Sequence, residues 1–153
     1  MEIKLIDNPV KLAEFLNNPA NTGNIVDSGD KYYIKSDAVY LGIYEGLVLA
    51  GVHEVRNFWH SVVECHAVYD PGFRGEYARK EIGLAFWRYI LTNTTVQCVT
   101  SFAARKFRHG QMYCAMIGLK RVGTIKKYFK GVDDVTFYSA TREELIDFLN
   151  HGR

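Results

Sequence analysis

Cysteine and proline are scarce in this chain, with three of each among 153 residues. Cys65, Cys98 and Cys114 form an odd, widely spaced set. That excludes a disulfide framework and fits reduced thiols in a cytoplasmic chain. So few prolines exclude Pro-rich linkers. No apolar run approaches the roughly 20 residues of a membrane span, and the polar, acidic start lacks a signal-peptide profile. Absent too are a Gly-x-Ser-x-Gly elbow, a P-loop and a dinucleotide fingerprint. His53, His60 and His66 follow no metal-ligand spacing, so no metal is expected. With neither repeats nor low-complexity tracts, residues 1–153 are expected to form one domain.

An apolar content of 48% and an aromatic content of 14% are those of a folded globule. The net charge of +2 hides a segregation. Acids outnumber Lys and Arg up to Asp70, and the reverse holds beyond it. Between Ser101 and Lys130 there are eight Lys or Arg and no acid. Two readings stand for that segment: a solvated basic face, or a cationic lip for a phosphorylated ligand or nucleic acid.

The order of elements is legible. Glu2 to Ile6 alternates as a short strand. Asn8-Pro9 supplies an N-cap and a first-turn proline for a helix with Val10, Leu12, Ala13, Phe15 and Leu16 on its stripe. Asn17 to Asp30 is rich in turn residues, and Tyr32 to Ser36 has strand character. Val39 to Tyr44 and Leu47 to Val55 are joined at Glu45-Gly46 as a hairpin, with Ser61 to Tyr69 as the next strand. Apolar residues from Ala78 to Ile90 recur at helical spacing, predicting a helix over Glu76 to Leu91. Thr95 to Ala103 is a mostly apolar strand, and His109 to Ile117 a helix closed by Gly118. Val122 to Phe129 and Val135 to Ala140 are further strands. Thr141 and Glu144 then form a capping box for a last helix. The pattern is α+β: a mixed, mostly antiparallel central sheet flanked by helices.

Within it, a strand ends at Pro71-Gly72-Phe73-Arg74-Gly75 and feeds a helix N-terminus. Backbone N–H groups and the helix dipole make such a turn a holder of phosphate. A later Gly118-Leu119-Lys120-Arg121-Val122-Gly123 turn opens a strand. This layout resembles the GCN5-related N-acetyltransferase (GNAT) superfamily over about Val39 to Tyr138. Pro71 and Arg74-Gly75 match its pyrophosphate turn, and Gly118–Gly123 its late Gly-Phe-Lys-x-x-Gly turn. The chain departs from the pattern at Tyr77 and Arg79, where the superfamily carries small residues that let the backbone approach phosphate. The superfamily's general-acid Tyr corresponds to Cys114 here, with Tyr113 one place earlier and about 100° away around the helix.

The resemblance implies an acyl-CoA N-acyltransferase fold with acetyl-CoA as cosubstrate and an amine acceptor. Backbone groups of Ala67, Val68 and Tyr69 would hold the thioester arm. Arg74, Gly75, Glu76, Tyr77, Ala78, Arg79 and Lys80 would hold the pyrophosphate. Acceptor selectivity would come from the first helix and the Asn17–Asp30 loop. Deprotonating the amine needs a base, for which the middle strands offer His53, Glu54, Glu64 and His66. Glu64 and His66 share one strand face and form either a base pair at the cleft or ordinary polar residues toward solvent. Cys114 is either a thiol that protonates the leaving thiolate, provided its pKa stays near about 8.5, or a small buried hydrophobe. Tyr113 is either the displaced acid or a packed aromatic.

A second function class stays open: a non-catalytic relative serving phage virion or head assembly, or another protein interaction, in the host cytoplasm or the virion. The eroded turn and the missing Tyr at position 114 favour it. A protein partner and a homodimer are likewise open. Phe58, Trp59 and His60 mark a hairpin tip or an exposed aromatic patch for such a partner. Nucleic-acid binding is the weaker third reading, by Phe102, Phe107, Tyr113, Tyr128 and Phe129 within the basic segment.

Overall fold

The computed structural model describes residues 1–23, 27 and 29–152, with the side chains of Phe58 and Arg79 outside that description. Among these residues seven strands form one sheet in the order β1-β2-β3-β4-β5-β7-β6. They are β1 Glu2–Leu5, β2 Ala38–Glu45, β3 Val48–Trp59, β4 Val62–Tyr69, β5 Cys98–Ala104, β6 Lys120–Phe129 and β7 Asp133–Thr141. All neighbours are antiparallel except β4 and β5. The helices are α1 Pro9–Leu16, α2 Pro19–Thr22, α3 Leu84–Asn93, α4 Arg108–Met116 and α5 Arg142–His151.

Local chemistry explains most boundaries. Asn8 caps α1 by accepting from Val10 N and Lys11 N, and Pro9 occupies the first turn. The β2–β3 hairpin turns at Gly46-Leu47, one residue later than the expected Glu45-Gly46, with Gly46 at φ 60. The β3–β4 hairpin turns at His60, φ 45, and leaves Trp59 69% exposed at its tip. Gly118, φ 89, ends α4, and Phe148 packs so closely that a Cβ there would lie 2.6 Å from its ring. Thr141 and Glu144 form the reciprocal capping box of α5.

The main core lies where α3, α4 and α5 cover the sheet, around Phe86, Trp87, Ile90, Val99, Ile117 and Leu145. Burying each such large side chain contributes about 1.5–3 kcal/mol. Trp87 Nε1 donates to Ile117 O at 2.8 Å, so its polar edge enters the core satisfied.

Tyr32 to Ser36 is not a strand. Side chains take up its polar groups in place of a ladder. Tyr32 N–H donates to Asn17 Oδ1 at 2.9 Å, and Asn17 Nδ2 donates back to Tyr32 O at 3.3 Å. Lys35 N–H donates to the Tyr40 hydroxyl at 2.9 Å. The turn-rich Asn17–Asp30 stretch contains α2, capped by Asn18. Asn24, Ile25, Val26 and Ser28 of that stretch lie outside the described residues.

Candidate active site

The site begins where two strands part. β4 and β5 pair only at Val62↔Cys98, Val63↔Val99 and Glu64↔Thr100. Beyond that, β4 stays with β3 as far as Gly51↔Tyr69, while β5 stays with β7 along its whole length. Each strand follows its antiparallel partner, so a gap opens between Cys65–Tyr69 and Ser101–Ala104. Two cavities lie at this gap. One, of about 370 Å³, is lined by Ala67, Val68, Tyr69, Arg74, Gly75 and residues of α4. The other, of about 210 Å³, is lined by His66, Phe102, Phe107 and Phe129, with Tyr32 and Lys35 from the α2–β2 segment. Ala67, Gly110 and Tyr113 line both, so the cavities meet there.

The turn after β4 sits at the mouth of the larger cavity. Asp70 Oδ1 accepts from Gly72 N at 2.9 Å and caps a 3₁₀ turn over Pro71–Phe73. Gly75 has φ 70, and a Cβ there would meet nothing within 4 Å, so the backbone is open on that side. The following helix is wound as a π segment over Ala78–Gly83 before α3 proper. Arg74 has a task that its sequence position did not reveal. Its Nη2 donates to Ala20 O at 2.6 Å, Asn21 O at 2.8 Å and Tyr69 O at 3.1 Å, tying α2 to the end of β4. Tyr77 Oη donates to Glu45 Oε1 at 2.7 Å, and Lys80 pairs with Glu76 at 3.2 Å. Two carboxylates therefore flank this turn. The Arg79 side chain lies outside the described residues.

Glu64 and His66 come together at the smaller cavity. His66 Nε2 lies 3.1 Å from Glu64 Oε1, and Arg56 Nη1 reaches the same oxygen at 3.4 Å. The hydrogen bond from His66 holds the Glu64 carboxyl below the usual carboxylate range, against the opposing effect of burial. Glu64 thus accepts, His66 donates from Nε2, and the Nδ1 lone pair is left to take a proton. Phe102 packs edge-on against the ring at 4.6 Å.

The other base candidates on the middle strands are buried. Glu54 is 2% exposed and accepts from Tyr32 Oη at 2.5 Å, Lys35 Nζ at 2.6 Å and Tyr40 Oη at 3.1 Å. It anchors the segment that walls the smaller cavity. His53 is fully buried, and burial pushes its pKa down to about 3.

Tyr113 and Cys114 diverge as their helical positions require. Cys114 Sγ reaches Ser101 Oγ at 3.8 Å, and burial pushes its pKa up to about 11. The condition for Cys114 as an acid near about 8.5 is therefore not met. Tyr113 faces β4, where its hydroxyl bonds the Tyr69 hydroxyl, which lies 2.5 Å from His53 Nε2. Sequence reasoning missed this chain of three. The available signal was Gly51: a Cβ there would lie 2.2 Å from the Tyr69 ring that fills its place.

The basic segment is partly neutralised. Lys106 and Lys130 both pair with Asp27, Lys130 reaches Asp30 at 2.5 Å, and Lys120 pairs with Glu144 at 2.7 Å. Its aromatic rings pack on one another, Phe107 on Phe129 and Phe102 on Phe137.

Comparisons with known proteins follow the same lines. The chain is 58% identical to protein gp14 of Salmonella phage P22 over 144 residues, 94% of each chain. It is 29% identical to protein p31 of Acyrthosiphon pisum secondary endosymbiont phage 1, over 96% of each. Among solved structures, a point mutant of the spermidine N-acetyltransferase SpeG from Vibrio cholerae superposes with a TM-score of 0.72 at 15% identity, covering 96% of this chain and 98% of that one. A GNAT-family acetyltransferase from Bacillus anthracis gives 0.69 at 13% identity, covering 94% and 96%. At such identities the likeness is one of fold, and the α+β fold here is that of GNAT acetyltransferases. The family model described as "Protein of unknown function (DUF2824)" matches residues 3–151, and the chain belongs to that family.

Proposed function

We propose that the protein transfers an acetyl group from acetyl-CoA to the amine of a small acceptor. What carries this reading is the meeting of two cavities at Ala67, Gly110 and Tyr113, in the gap where β4 leaves β5. The larger cavity suits the thioester arm: the β4 edge from Cys65 to Tyr69 has no strand partner on the β5 side, and the open Gly75 turn leads into a helix N-terminus. Ala67, Val68 and Tyr69 would bind that arm, and the backbone of Gly75, Glu76, Tyr77 and Ala78 the pyrophosphate. Arg74 supports that turn from below through its carbonyl contacts, and Lys80, paired with Glu76, would be an outer cation.

When bound, acetyl-CoA supplies an acyl carbon at which a C–N bond forms and a C–S bond breaks. The protein's part is positioning and proton handling. His66, held by Glu64, takes the proton of the acceptor ammonium at Nδ1. Tyr113 gives its hydroxyl proton to the departing sulfur; burial raises its pKa as well, and the hydrogen bond from Tyr69, which Cys114 lacks, opposes that rise. The smaller cavity, walled by Tyr32, Phe102, Phe107 and Phe129, receives the acceptor.

One observation favours a second reading, a non-catalytic phage protein acting in assembly. Glu45 and Glu76 stand beside the turn, where a pyrophosphate would be repelled. A thermal-unfolding titration with acetyl-CoA, CoA and ATP separates the two. Ligand at about 100 times its Kd stabilises by roughly 2.7 kcal/mol and raises the midpoint by several degrees. A shift with acetyl-CoA and CoA but not ATP is expected, followed by a thiol-release screen of primary amines. No shift at millimolar cofactor overturns the proposal and leaves assembly as the better reading.

A further inference from the structure

We infer that His53 and Tyr69 are positioning residues that aim the Tyr113 hydroxyl proton into the junction of the two cavities. This rests on the acetyl-transfer reading for its purpose, though not for its geometry. His53 sits on β3, Tyr69 at the end of β4 and Tyr113 on α4, so three elements bring their side chains into one line. His53 Nε2 lies 2.5 Å from Tyr69 Oη, and Tyr69 Oη bonds Tyr113 Oη. His53 is 2% exposed, and its ring rests on Phe86 at 3.8 Å between centroids.

The direction of these hydrogen bonds follows from satisfaction. Burial keeps the His53 ring neutral, so it carries one N–H. Among the described residues the ring has one hydrogen-bond partner, Tyr69 Oη, at Nε2. Burial raises both tyrosine hydroxyls, but the bond they share works to lower Tyr113 and to raise Tyr69, so Tyr69 donates and Tyr113 accepts. With its hydrogen directed at Tyr113, Tyr69 Oη is left to accept, and the neutral His53 ring donates to it from Nε2. Tyr113 accepts in turn, and its hydrogen must point away from both, where Tyr113 lines the two cavities.

A glycine beside the chain fits this role. Gly51 leaves room for the Tyr69 ring, which a Cβ there would meet at 2.2 Å. In the transfer step the Tyr113 O–H bond breaks as an S–H bond forms on the departing sulfur. Tyr69 O–H then stabilises the phenolate. The second proton of the acceptor nitrogen restores Tyr113, and the first remains on His66 until released to solvent. The net change is one proton lost from the acceptor ammonium to water and one moved to sulfur.

The test has two arms. In long-range ¹H–¹⁵N spectra of the free protein at neutral pH, the His53 signals, assigned by their loss in His53→Gln, should show the Nε2–H tautomer. The Nδ1–H tautomer or a protonated ring would overturn the inference. In thiol-release assays with the best amine of the screen, Tyr69→Phe and His53→Leu should lower kcat roughly ten-fold or more with the acetyl-CoA KM unchanged. His53→Gln, which keeps a donor, should recover most of it, and a Gln variant as poor as the Leu variant would overturn the inference. Should acetyl-CoA not bind, the proposed function fails, and the spectra still decide the direction of the chain.

Discussion

Two side chains beside the cavities are set by burial more than by charge. The Cys114 thiol and the His53 imidazole are both held neutral by desolvation, in opposite pKa directions. For His53 the consequence is measurable. Its folded pKa of about 3 lies below its ordinary 6.5, so below that ordinary value the unfolded chain binds a proton that the folded one does not. Its contribution to stability is present above pH 6.5 and is lost as pH falls from there toward 3. The slope is about 1.4 kcal/mol per pH unit where the window is fully open. Urea unfolding of the wild type and His53→Gln between neutral and mildly acidic pH should show their difference in stability shrinking toward low pH. A constant difference would mean that His53 is not the titrating group. Glu64 adds loss at lower pH, since its folded pKa is depressed and its contribution disappears as pH falls through that depressed value.

At the scale of elements, the site depends on one Arg. Arg74 joins α2, the last residue of β4 and the turn that follows through three backbone carbonyls. Arg74→Ala should destabilise the protein by about 2 kcal/mol, since hydrogen bonds to a charged group carry roughly 1.5–3 kcal/mol. Arg74→Lys should restore little of it, because a point ammonium cannot span three carbonyls as a planar fork does. A urea midpoint for each variant measures this, and a midpoint equal to that of the wild type would remove the clamp from the account. The same change should weaken cofactor binding indirectly, by loosening the turn. α5 is held by a more local device, its capping box, whose partners lie three residues apart.

Over the whole molecule, the charge segregation resolves into cross-links. Asp27 and Asp30, from the acidic half, meet Lys106 and Lys130 of the basic half beside the smaller cavity. Pairing of Lys106, Lys120 and Lys130 with carboxylates and the packing of Phe102, Phe107 and Phe129 on other rings reduce what a nucleic acid could grip. Binding to generic duplex DNA should be no tighter than about 10⁻⁴ M at physiological salt. Fluorescence anisotropy tests this, and a steep salt-dependent affinity well below that value would restore the nucleic-acid reading. No helix among the described residues is long and apolar enough to cross a membrane.

The sequence by itself determined what depends on neighbours in the chain. Asn8-Pro9, Gly46, Gly118 and Thr141-Glu144 each fix a cap or turn within a few residues, and apolar periodicity separates helix from strand. The order of elements followed, and with it the fold and the location of the β4–turn–helix segment. The Glu64–His66 pair was legible too, because a two-residue period puts both on one face. What the tertiary structure decided are contacts between residues far apart in the chain. Tyr32 and Lys35 close on Glu54, Arg74 clamps Ala20 and Asn21, and His53, Tyr69 and Tyr113 line up across three elements. The divergence of β4 from β5 is of the same kind. It arises because each strand is held more extensively by its other neighbour, and strand pairing is a property of the sheet that no local pattern encodes.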